Sequence, residues 1–333
     1  MLFNERYQSM KIYMSPAESG PGAWTGCYQH LLRLEAMSRV KKHTLTENPS
    51  EADIILITDG KDDDDFYGLR INPLLKKYPE KTFTIFEGDF PLRFVPGIYT
   101  SMPNSIFNLN RFRPGTYSYC HHRCGNSVDK MPPLQRNGEL FFSFIGRDSH
   151  RVRNHLFKCD FKRPDVLIEN SSKFNYFGGD DPDRERFKNR YLEVCEKSRF
   201  VLCPRGQGTS SIRLFEVMQM GLAPVIISDQ WIRPVGPDWE SFAVFVKENE
   251  IGHLPEILGR YDAQWRERGD RARKNWEAWY QLENEFNYLM DRLDEIKKGR
   301  WIDERIMRFS WPFILFKLHL RKKLSRLKRM LTG

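Results

Sequence analysis

Short apolar runs alternate with helix-like stretches in the first part of the chain. The runs Lys11–Met14, Ile54–Thr58 and Thr82–Phe86 have the length of strands, and Tyr28–Met37 has apolar positions at helical spacing. Ile54–Thr58 is apolar at successive positions, which is typical of a parallel strand that helices cover on both faces. This order predicts a βαβ domain of the Rossmann type over residues 1–136.

A second alternation of the same kind follows a loop-rich stretch. Residues 102–138 carry four prolines with several glycines and asparagines, and they predict a linker between two domains. After it we predict strands at 140–145, 165–169, 200–203 and 223–228, separated by helices from His150, over 184–198 and over 211–220. The restarted order predicts a second Rossmann-like domain over residues 137–296, so the predicted fold class is α/β with a C-terminal helical segment.

Length and charge agree with this division. A chain of 333 residues exceeds the ~250–300 residues at which single cores stop growing, so two cores are expected. The formal net charge of +9 is concentrated at the end, where residues 297–333 hold 12 Lys and Arg against Asp303 and Glu304. The 41 basic and 42 acidic residues before them nearly cancel. Because the basic end lacks an aromatic surface for reading bases, we expect no nucleic acid partner.

Two features bear on where the protein is found. Residues Met1–Gln8 are charged where a secretory signal would be apolar, and no window reaches the ~18–20 apolar residues of a membrane span. The six cysteines are too few for a disulfide scaffold at this length and are expected to be reduced thiols. We therefore expect a cytoplasmic protein.

The densest candidate chemistry lies in residues 200–216, where a strand breaks at a proline, passes two glycines and enters a helix. Gly206 and Gly208 let the backbone approach a ligand closely, and Ser210 or Ser211 is suited to cap the helix. The free N–H groups and the dipole of a helix start favour phosphate. The segment therefore has the form of an anion site between a strand and a helix.

Three charged side chains surround this helix start. Arg205 and Arg213 carry fork-shaped donors that suit phosphate oxygens. Glu216 follows Arg213 by three residues and shares its helix face, where a carboxylate can grip the two hydroxyls of a ribose. A tight turn with a surface ion pair is the simpler interpretation. Because the turn, the cap, both arginines and the carboxylate converge on one junction, we prefer a site for a nucleotide diphosphate.

The same residues resemble a known family. Cys203-Pro-Arg-Gly, Ser210-Ser-Ile-Arg-Leu-Phe-Glu-Val and Gly221-Leu-Ala-Pro-Val-Ile-Ile-Ser-Asp are similar to the exostosin-type glycosyltransferases, glycosyltransferase family 47. The resemblance begins at Phe142-Ser-Phe-Ile-Gly-Arg and covers most of residues 140–260. The family's usual Gly-Cys-Ile-Pro appears here as Gly-Leu-Ala-Pro, which is a difference in packing.

The resemblance implies a GT-B fold, in which two Rossmann-like domains face a cleft. It implies inverting transfer from a UDP-sugar donor, by an enzyme of the hexosyl- or glucuronosyltransferase type, without an obligatory metal or other cofactor. It also implies that Arg205 and Arg213 bind the diphosphate, that Ser210 and Ser211 form the phosphate-facing helix start, and that Glu216 binds the ribose.

Two further positions depend on this assignment. Gly146 and Arg147 follow the first strand of the second domain, where a glycine permits a sharp turn beneath the cleft and the arginine can reach phosphate. Asp229 follows the strand at 223–228, at the edge where open α/β sheets bind ligands. A surface arginine and a turn-capping aspartate remain the alternatives.

Inverting transfer needs a general base that removes the proton of the acceptor hydroxyl. We expect it in the first domain, on a carboxylate at a strand end. The candidates are Glu18, Asp59, Glu87 and Asp89. Each of them is also a common turn residue. We select Asp89 or Glu18 as the catalytic base.

Two segments have residue types that bind metals. Glu87-Gly-Asp89 looks like the acidic motif of single-domain, manganese-dependent transferases, but such a site would leave the Arg205–Glu216 constellation without a role. Cys120-His-His-Arg-Cys124 offers zinc ligands, and a second, distant pair with suitable spacing is missing. We therefore predict no metal site.

The end of the chain has a pattern of its own. From Trp311 onward, leucines recur near helical spacing among lysines and arginines, which predicts a basic amphipathic helix over much of residues 297–333. Such a helix binds anionic membrane, where each basic residue contributes on the order of 1 kcal/mol. The alternative is a helix that packs on the body and crosses back to the first domain.

These observations predict an inverting glycosyltransferase that moves a sugar from a UDP-sugar to a glycan or lipid-linked acceptor. A role in cell-surface polysaccharide biosynthesis, peripheral on the inner face of the membrane, accounts for the donor segment and the basic end together. A non-catalytic nucleotide- or glycan-binding protein on the same scaffold is the alternative, because the residues do not single out one base.

Overall fold

The computed structural model describes residues 8–17, 25–58, 67–91, 93–117, 133–173 and 184–316, with Leu320 and Lys323. Its strands are β1 Lys11–Pro16, β2 Thr44–Leu45, β3 Ile54–Thr58, β4 Thr82–Phe86, β5 Gly97–Tyr99, β6 Phe112–Pro114, β7 Leu140–Gly146, β8 Val166–Asn170, β9 Ser198–Pro204, β10 Ala223–Ile227 and β11 Val244–Val246. Its α-helices are α1 Gly26–Met37, α2 Tyr67–Ile71, α3 Pro73–Lys77, α4 Arg151–Lys158, α5 Arg184–Lys197, α6 Ile212–Gln219, α7 Trp239–Phe242, α8 Leu254–Gly259, α9 Trp265–Trp279, α10 Leu282–Gly299 and α11 Glu304–Met307.

The strands form two parallel sheets, one in each half of the chain. The first sheet has the order β2-β1-β3-β4-β5-β6 and the second the order β11-β10-β9-β7-β8. All neighbouring strands in both sheets run parallel. Two Rossmann-like domains with a cleft between them are the GT-B arrangement, so the predicted fold class is confirmed.

Strand β3 shows why its residues are apolar at successive positions. Ile54 and Leu56 join a core that also contains residues of the second domain, whereas Ile55 and Ile57 join a separate core on the other face of the first sheet. All four side chains are fully buried. Helices therefore cover both faces of the sheet, as the uninterrupted apolar run predicts.

Part of the predicted linker belongs to the first sheet. Phe112–Pro114 forms the edge strand β6, in which Pro114 lies opposite Tyr99 of β5. Proline has no N–H group to donate to a neighbouring strand. It is tolerated in an edge strand because one side of that strand has no neighbour that needs a hydrogen bond. The turn residues around a strand of three residues predict a loop, and only the pairing with β5 reveals the strand.

Helix α10 packs against the first domain, although the sequence places it with residues 137–296. Its Asp291 carboxylate accepts a hydrogen bond from Lys42 Nζ at 2.7 Å and lies 3.2 Å from His43 Nε2. Its Asn287 Nδ2 donates to the carbonyl of Val40 at 2.9 Å. Because α9 packs on the second domain, the chain crosses between the domains at the break between α9 and α10.

The segment after α10 is also held on the first domain. The Arg111 guanidinium donates from Nε and Nη2 to the two carboxylate oxygens of Glu304, at 2.9 and 2.8 Å, and both side chains are buried. The ring of Trp311 meets the ring of Phe94 edge-on, with centroids 5.3 Å apart. The start of the predicted amphipathic helix thus packs on the body, and its helical backbone is described as far as Phe316.

Two other predictions concern thiols and the bilayer. Cys27, Cys195 and Cys203 are buried and Cys159 is half-buried, and none of these four described cysteines forms a disulfide. Cys120-His-His-Arg-Cys124 lies outside the described residues. Over the described ranges, helices with the length and apolar character for crossing a bilayer are absent.

We expect Glu304→Gln to lower the free energy of unfolding by about 3–5 kcal/mol, because it leaves the buried Arg111 charge without its carboxylate partner. Guanidinium unfolding followed by circular dichroism measures the change. Glu267→Gln is the control, since it removes an exposed partner of Arg271 on one helix and should cost less than about 1 kcal/mol. Equal effects of the two substitutions would contradict the anchoring role of Glu304.

Candidate active site in the interdomain cleft

A cleft of about 570 Å³ opens at the carboxyl ends of the strands of both sheets. This is the edge at which open α/β sheets bind ligands, and the volume is that of a small-molecule site. Glu87, Asp89 and Tyr117 line it from the first domain. The second domain lines it with the turn after β7, the loop after β9, and the facing sides of α5 and α6.

The loop between β9 and α6 is fastened to the neighbouring strand β10. The N–H of Arg205 donates to the carbonyl of Ile227 at 3.0 Å, and Ser228 Oγ donates to the carbonyl of Thr209 at 2.8 Å. Ser211 is the N-cap residue of α6, and its side chain makes no capping hydrogen bond. Since Ser211, Ile212 and Arg213 line the cleft, the helix start presents N–H groups without intrahelical acceptors to a ligand there.

Gly208 in this loop touches the first domain. A Cβ at this position would lie 2.4 Å from Asp89 Oδ1 and 2.4 Å from Ser101 Oγ, so only glycine fits. The Asp89 carboxylate accepts hydrogen bonds from the N–H of Gly208 and from the hydroxyl of Tyr117. The hydroxyl oxygen of Tyr117 in turn lies 2.8 Å from Ser101 Oγ. Asp89, a candidate base in the first domain, is thereby joined to the loop between β9 and α6 in the second domain.

The pKa of Asp89 is shifted in the direction that favours proton acceptance. Burial raises this pKa above its ordinary value of 3.8, and the hydrogen bond from Gly208 and the charges of Arg153 and Arg205 offset the rise in part. A carboxylate with a raised pKa holds a proton more firmly than an exposed one. It is therefore better suited to accept the proton of an acceptor hydroxyl.

Arg213 and Glu216 lie on the cleft-facing side of α6. The Arg213 guanidinium lies over the ring of Phe144 at 4.6 Å and over that of Tyr191 at 5.5 Å, and it donates to the carbonyl of Ile145. The Glu216 carboxylate is buried and accepts a hydrogen bond from the Tyr191 hydroxyl at 3.0 Å. Burial raises the pKa of Glu216, and the Arg213 charge offsets part of this rise.

Arg153, on α4, is a cleft residue that the sequence analysis missed. Its guanidinium donates to the carbonyls of Arg205 at 3.0 Å, Pro204 at 3.1 Å and Arg147 at 3.3 Å. It thus joins the turn after β7 to the loop after β9. Burial, together with the nearby Arg213 charge, lowers the pKa of Arg153 to about 9, so the group remains charged at neutral pH. Arg153 lies in the first turn of α4, the helix that follows β7 and Gly146. This position in the sequence is the signal that could have indicated Arg153 as a cleft residue.

Arg205 and Asp229 lie beside the cleft, not among its described lining residues. Arg205 Nη1 is 3.6 Å from Glu248 Oε1. The N–H of Asp229 donates to the same Glu248 carboxylate at 3.2 Å, and Asp229 Oδ1 accepts from the N–H of Glu248 at 3.0 Å. Glu248 thus ties the ends of β9 and β10 together, and Arg205 acts on the site through its charge in this structure.

The other predicted residues fall into two groups. Gly146, Arg147, Gly206 and Ser210 all line the cleft. Glu18 and Asp59 lie outside the described residues. The site residues predicted from the second half of the chain therefore gather on one wall of the cleft or directly beside it.

The acidic pair Glu87 and Asp89 lines the cleft wall formed by the first domain. Within the part of the chain that the structure describes, groups of three or more His, Cys, Asp or Glu side chains able to hold a metal ion are absent. Among the described residues, Glu87 and Asp89 are therefore not part of such a group, and Asp89 lies near the charges of Arg153 and Arg205.

Comparison with known proteins agrees with this geometry. Residues 109–261 match a family model described as the exostosin GT47 domain. A stretch of 132 residues is 38% identical to the exostosin-1 homolog of Caenorhabditis elegans and covers 36% of this chain and 33% of that protein. A stretch of 139 residues is 40% identical to a probable glycosyltransferase of Arabidopsis thaliana and covers 40% of this chain and 26% of that protein. The chain thus matches a third or less of the length of these two relatives.

Among solved structures, the crystal structure of TarM aligns with 80% of this chain and 57% of its own, with a TM-score of 0.40 and 12% sequence identity. The domain architecture of this chain follows from the strand order of its own two sheets. The family-model match includes the second-domain residues that line the cleft between Ile145 and Glu216, and also Tyr117 of the first domain.

We expect Gly208→Ala to lower the melting temperature and to push the loop between β9 and α6 away from the first domain, because the methyl group of the alanine would overlap Asp89 and Ser101. Overpacking of this kind typically costs about 1–3 kcal/mol. Gly206→Ala is the matched control in the same loop, since its methyl group would meet its nearest atoms at 3.4 Å. Thermal unfolding gives the melting temperatures of both variants. Equal melting temperatures would show that the contact between Gly208 and the first domain does not contribute to stability.

Proposed function

We propose that this chain, whose residues 109–261 match an exostosin GT47 domain, transfers a sugar from a UDP-sugar to a glycan or lipid-linked acceptor. The observation that carries the proposal is the pairing of charges across the cleft. Guanidinium groups and a helix start on the second-domain wall face carboxylates on the first-domain wall. One wall suits a diphosphate leaving group, and the other suits proton removal from an acceptor.

The donor lies along the second-domain wall in this proposal. Its diphosphate accepts hydrogen bonds from the start of α6, and the charges of Arg213, Arg153 and Arg205 balance its negative charge. Glu216, one turn further along α6, accepts hydrogen bonds from the ribose hydroxyls. Arg147, at the turn after β7, lines the cleft and is exposed, so its side chain can reach a phosphate there.

The transfer is a single displacement at the anomeric carbon. The acceptor hydroxyl oxygen forms a bond to this carbon from the face opposite the diphosphate, and the bond from carbon to the phosphate oxygen breaks. The electron pair of that bond leaves with UDP, whose new negative charge the arginines and helix start stabilise. Asp89 accepts the hydroxyl proton, and the configuration at the anomeric carbon is inverted.

The transferred group is a hexosyl or glucuronosyl residue in this proposal, and the chain needs no obligatory metal or other cofactor. The basic residues of 297–333 hold the enzyme at an anionic membrane surface, on the inner face, where lipid-linked acceptors of cell-surface polysaccharide synthesis are found. The concentration of charge in this one segment, on an otherwise neutral chain, supports the membrane partner and gives no support for nucleic acid.

The proposed activity is tested by incubating the protein with individual UDP-sugars and measuring UDP release as acceptor is added. We expect release to grow with acceptor, and Asp89→Asn to lower the rate about 10²–10⁴-fold with UDP affinity retained, because only the proton acceptor is lost. Glu87→Gln is the matched control, because Glu87 is the neighbouring carboxylate on the same wall of the cleft. UDP binding without turnover in the unchanged protein would show a nucleotide-binding protein instead of an enzyme, and full activity of Asp89→Asn would assign the base elsewhere.

We expect Arg153→Gln to weaken UDP binding by about tenfold or more, since a hydrogen bond to a charged group contributes roughly 1.5–3 kcal/mol. Arg205→Gln should weaken it less, because the Arg205 side chain lies beside the cleft near Glu248. Isothermal titration calorimetry gives both affinities. A larger loss for Arg205→Gln would show that Arg205 turns into the cleft when nucleotide binds.

UDP affinity should fall as pH decreases, and the fall should begin above pH 4.5, the ordinary pKa of a glutamate. Burial raises the pKa of Glu216, so this carboxyl gains its proton at a higher pH than an exposed one and then accepts fewer hydrogen bonds from ribose. Glu216→Gln should bind UDP more weakly at neutral pH and lack this pH dependence. An unchanged pH profile in Glu216→Gln would assign the titration to another group.

A further inference from the structure

The segment after α10 carries a stripe of exposed apolar side chains. Ile306, Phe309, Phe313 and Phe316 follow one another at steps of three, four and three residues, and Leu320 lies four residues further on. Their side chains are 62%, 86%, 60%, 64% and 46% exposed, in that order. The backbone is helical from Glu304 to Phe316, so this spacing places Ile306, Phe309, Phe313 and Phe316 on one face. Single exposed apolar residues are ordinary, but a contiguous row of them marks an interaction surface.

The opposite side of the same segment is occupied by the protein. Trp311, Ile314 and Leu315 pack against the core on the outer face of the first sheet. The buried Arg111–Glu304 pair fixes the beginning of the segment to that domain. The exposed stripe is therefore presented by a helix that the first domain holds in place, and its exposure is not due to a loose chain end.

The sequence charge of the segment that carries the stripe favours an anionic partner. Residues 297–333 hold 12 Lys and Arg, while Asp303 and Glu304 are their only acidic residues, and Glu304 is already paired with Arg111. A second copy of the chain would bring an equally basic segment close to the first, and the like charges would repel. An anionic lipid surface attracts the basic residues and accepts the apolar ones below its headgroups.

We propose that Ile306, Phe309, Phe313 and Phe316 form a membrane-insertion face that enters the boundary between headgroups and acyl chains of an anionic bilayer. The basic residues bring the segment to the surface, and burial of the stripe then holds it there. Because the segment is fastened to the first domain, that domain is the part held at the bilayer. The insertion face rests on the membrane attachment proposed above for residues 297–333, and it is separate from the nucleotide site, so the two sites can fail independently in the test.

The test is flotation of the full chain with lipid vesicles, made either of phosphatidylcholine alone or of phosphatidylcholine with phosphatidylglycerol. The double variant Phe309→Ser/Phe313→Ser removes two stripe residues that are largely exposed, so it should fold normally. Leu109→Ser is the matched control, since Leu109 is 62% exposed and lies outside the stripe. The shift in melting temperature on adding UDP, measured for all three proteins, reports the nucleotide site separately.

We expect the unchanged protein to float with the anionic vesicles and to remain partly bound in about 1 M NaCl, where the Debye length is only about 3 Å. The double variant should show a partition coefficient at least about tenfold lower, since burial of a Phe side chain is worth roughly 1.5–3 kcal/mol. Leu109→Ser should float like the unchanged protein.

Two results would overturn the proposal. Equal flotation of the double variant and the unchanged protein, or no flotation of either, would show that the stripe does not enter the bilayer. A dimer of the unchanged protein that the double variant loses, measured by light scattering, would assign the stripe to a contact between copies of this chain.

Discussion

The two domains meet where a backbone N–H of one reaches a carboxylate of the other. Gly208, in the loop between β9 and α6, donates to Asp89 just after a first-domain strand, and the space between them admits no Cβ. The width of the cleft is therefore set by the absence of a side chain at one residue. In the proposed reaction, the leaving diphosphate and the approaching acceptor would both depend on this width, because displacement requires the reacting groups in line.

The cleft concentrates charges that would be more stable in water. Arg153, Arg213, Glu216 and Asp89 are all removed from solvent to some degree, and partly buried charges add little or nothing to stability. The fold keeps each of them by supplying close partners. Arg153 has three carbonyls, Arg213 lies between two rings, and Glu216 has the Tyr191 hydroxyl. These contacts fix the groups before a ligand arrives, which is what a site for a charged transition state requires.

The sequence predicts the longer strands and the strand-to-helix junction of the second-domain wall, because both depend on neighbours along the chain. The apolar run of β3 and the junction from Pro204 to Glu216 are local patterns, and the structure has the elements where those patterns place them. Contacts between distant residues are different. Arg153 donates to a loop some 50 residues further along the chain. The periodicity of α10 predicts a helix but does not indicate that this helix packs on the first domain. The edge strand β6 was missed for the same reason, since its pairing with β5 defines it.

The central claim is that the helix start and the arginines of the second domain bind a diphosphate. The most direct measurement is the affinity of the unchanged protein for UDP and for uridine, by isothermal titration calorimetry under the same conditions. The account predicts that UDP binds at least about a hundredfold more tightly, since two charge-assisted contacts contribute roughly 1.5–3 kcal/mol each. Equal affinity for UDP and uridine would contradict it, because the cleft would then recognise the nucleoside without holding its phosphates.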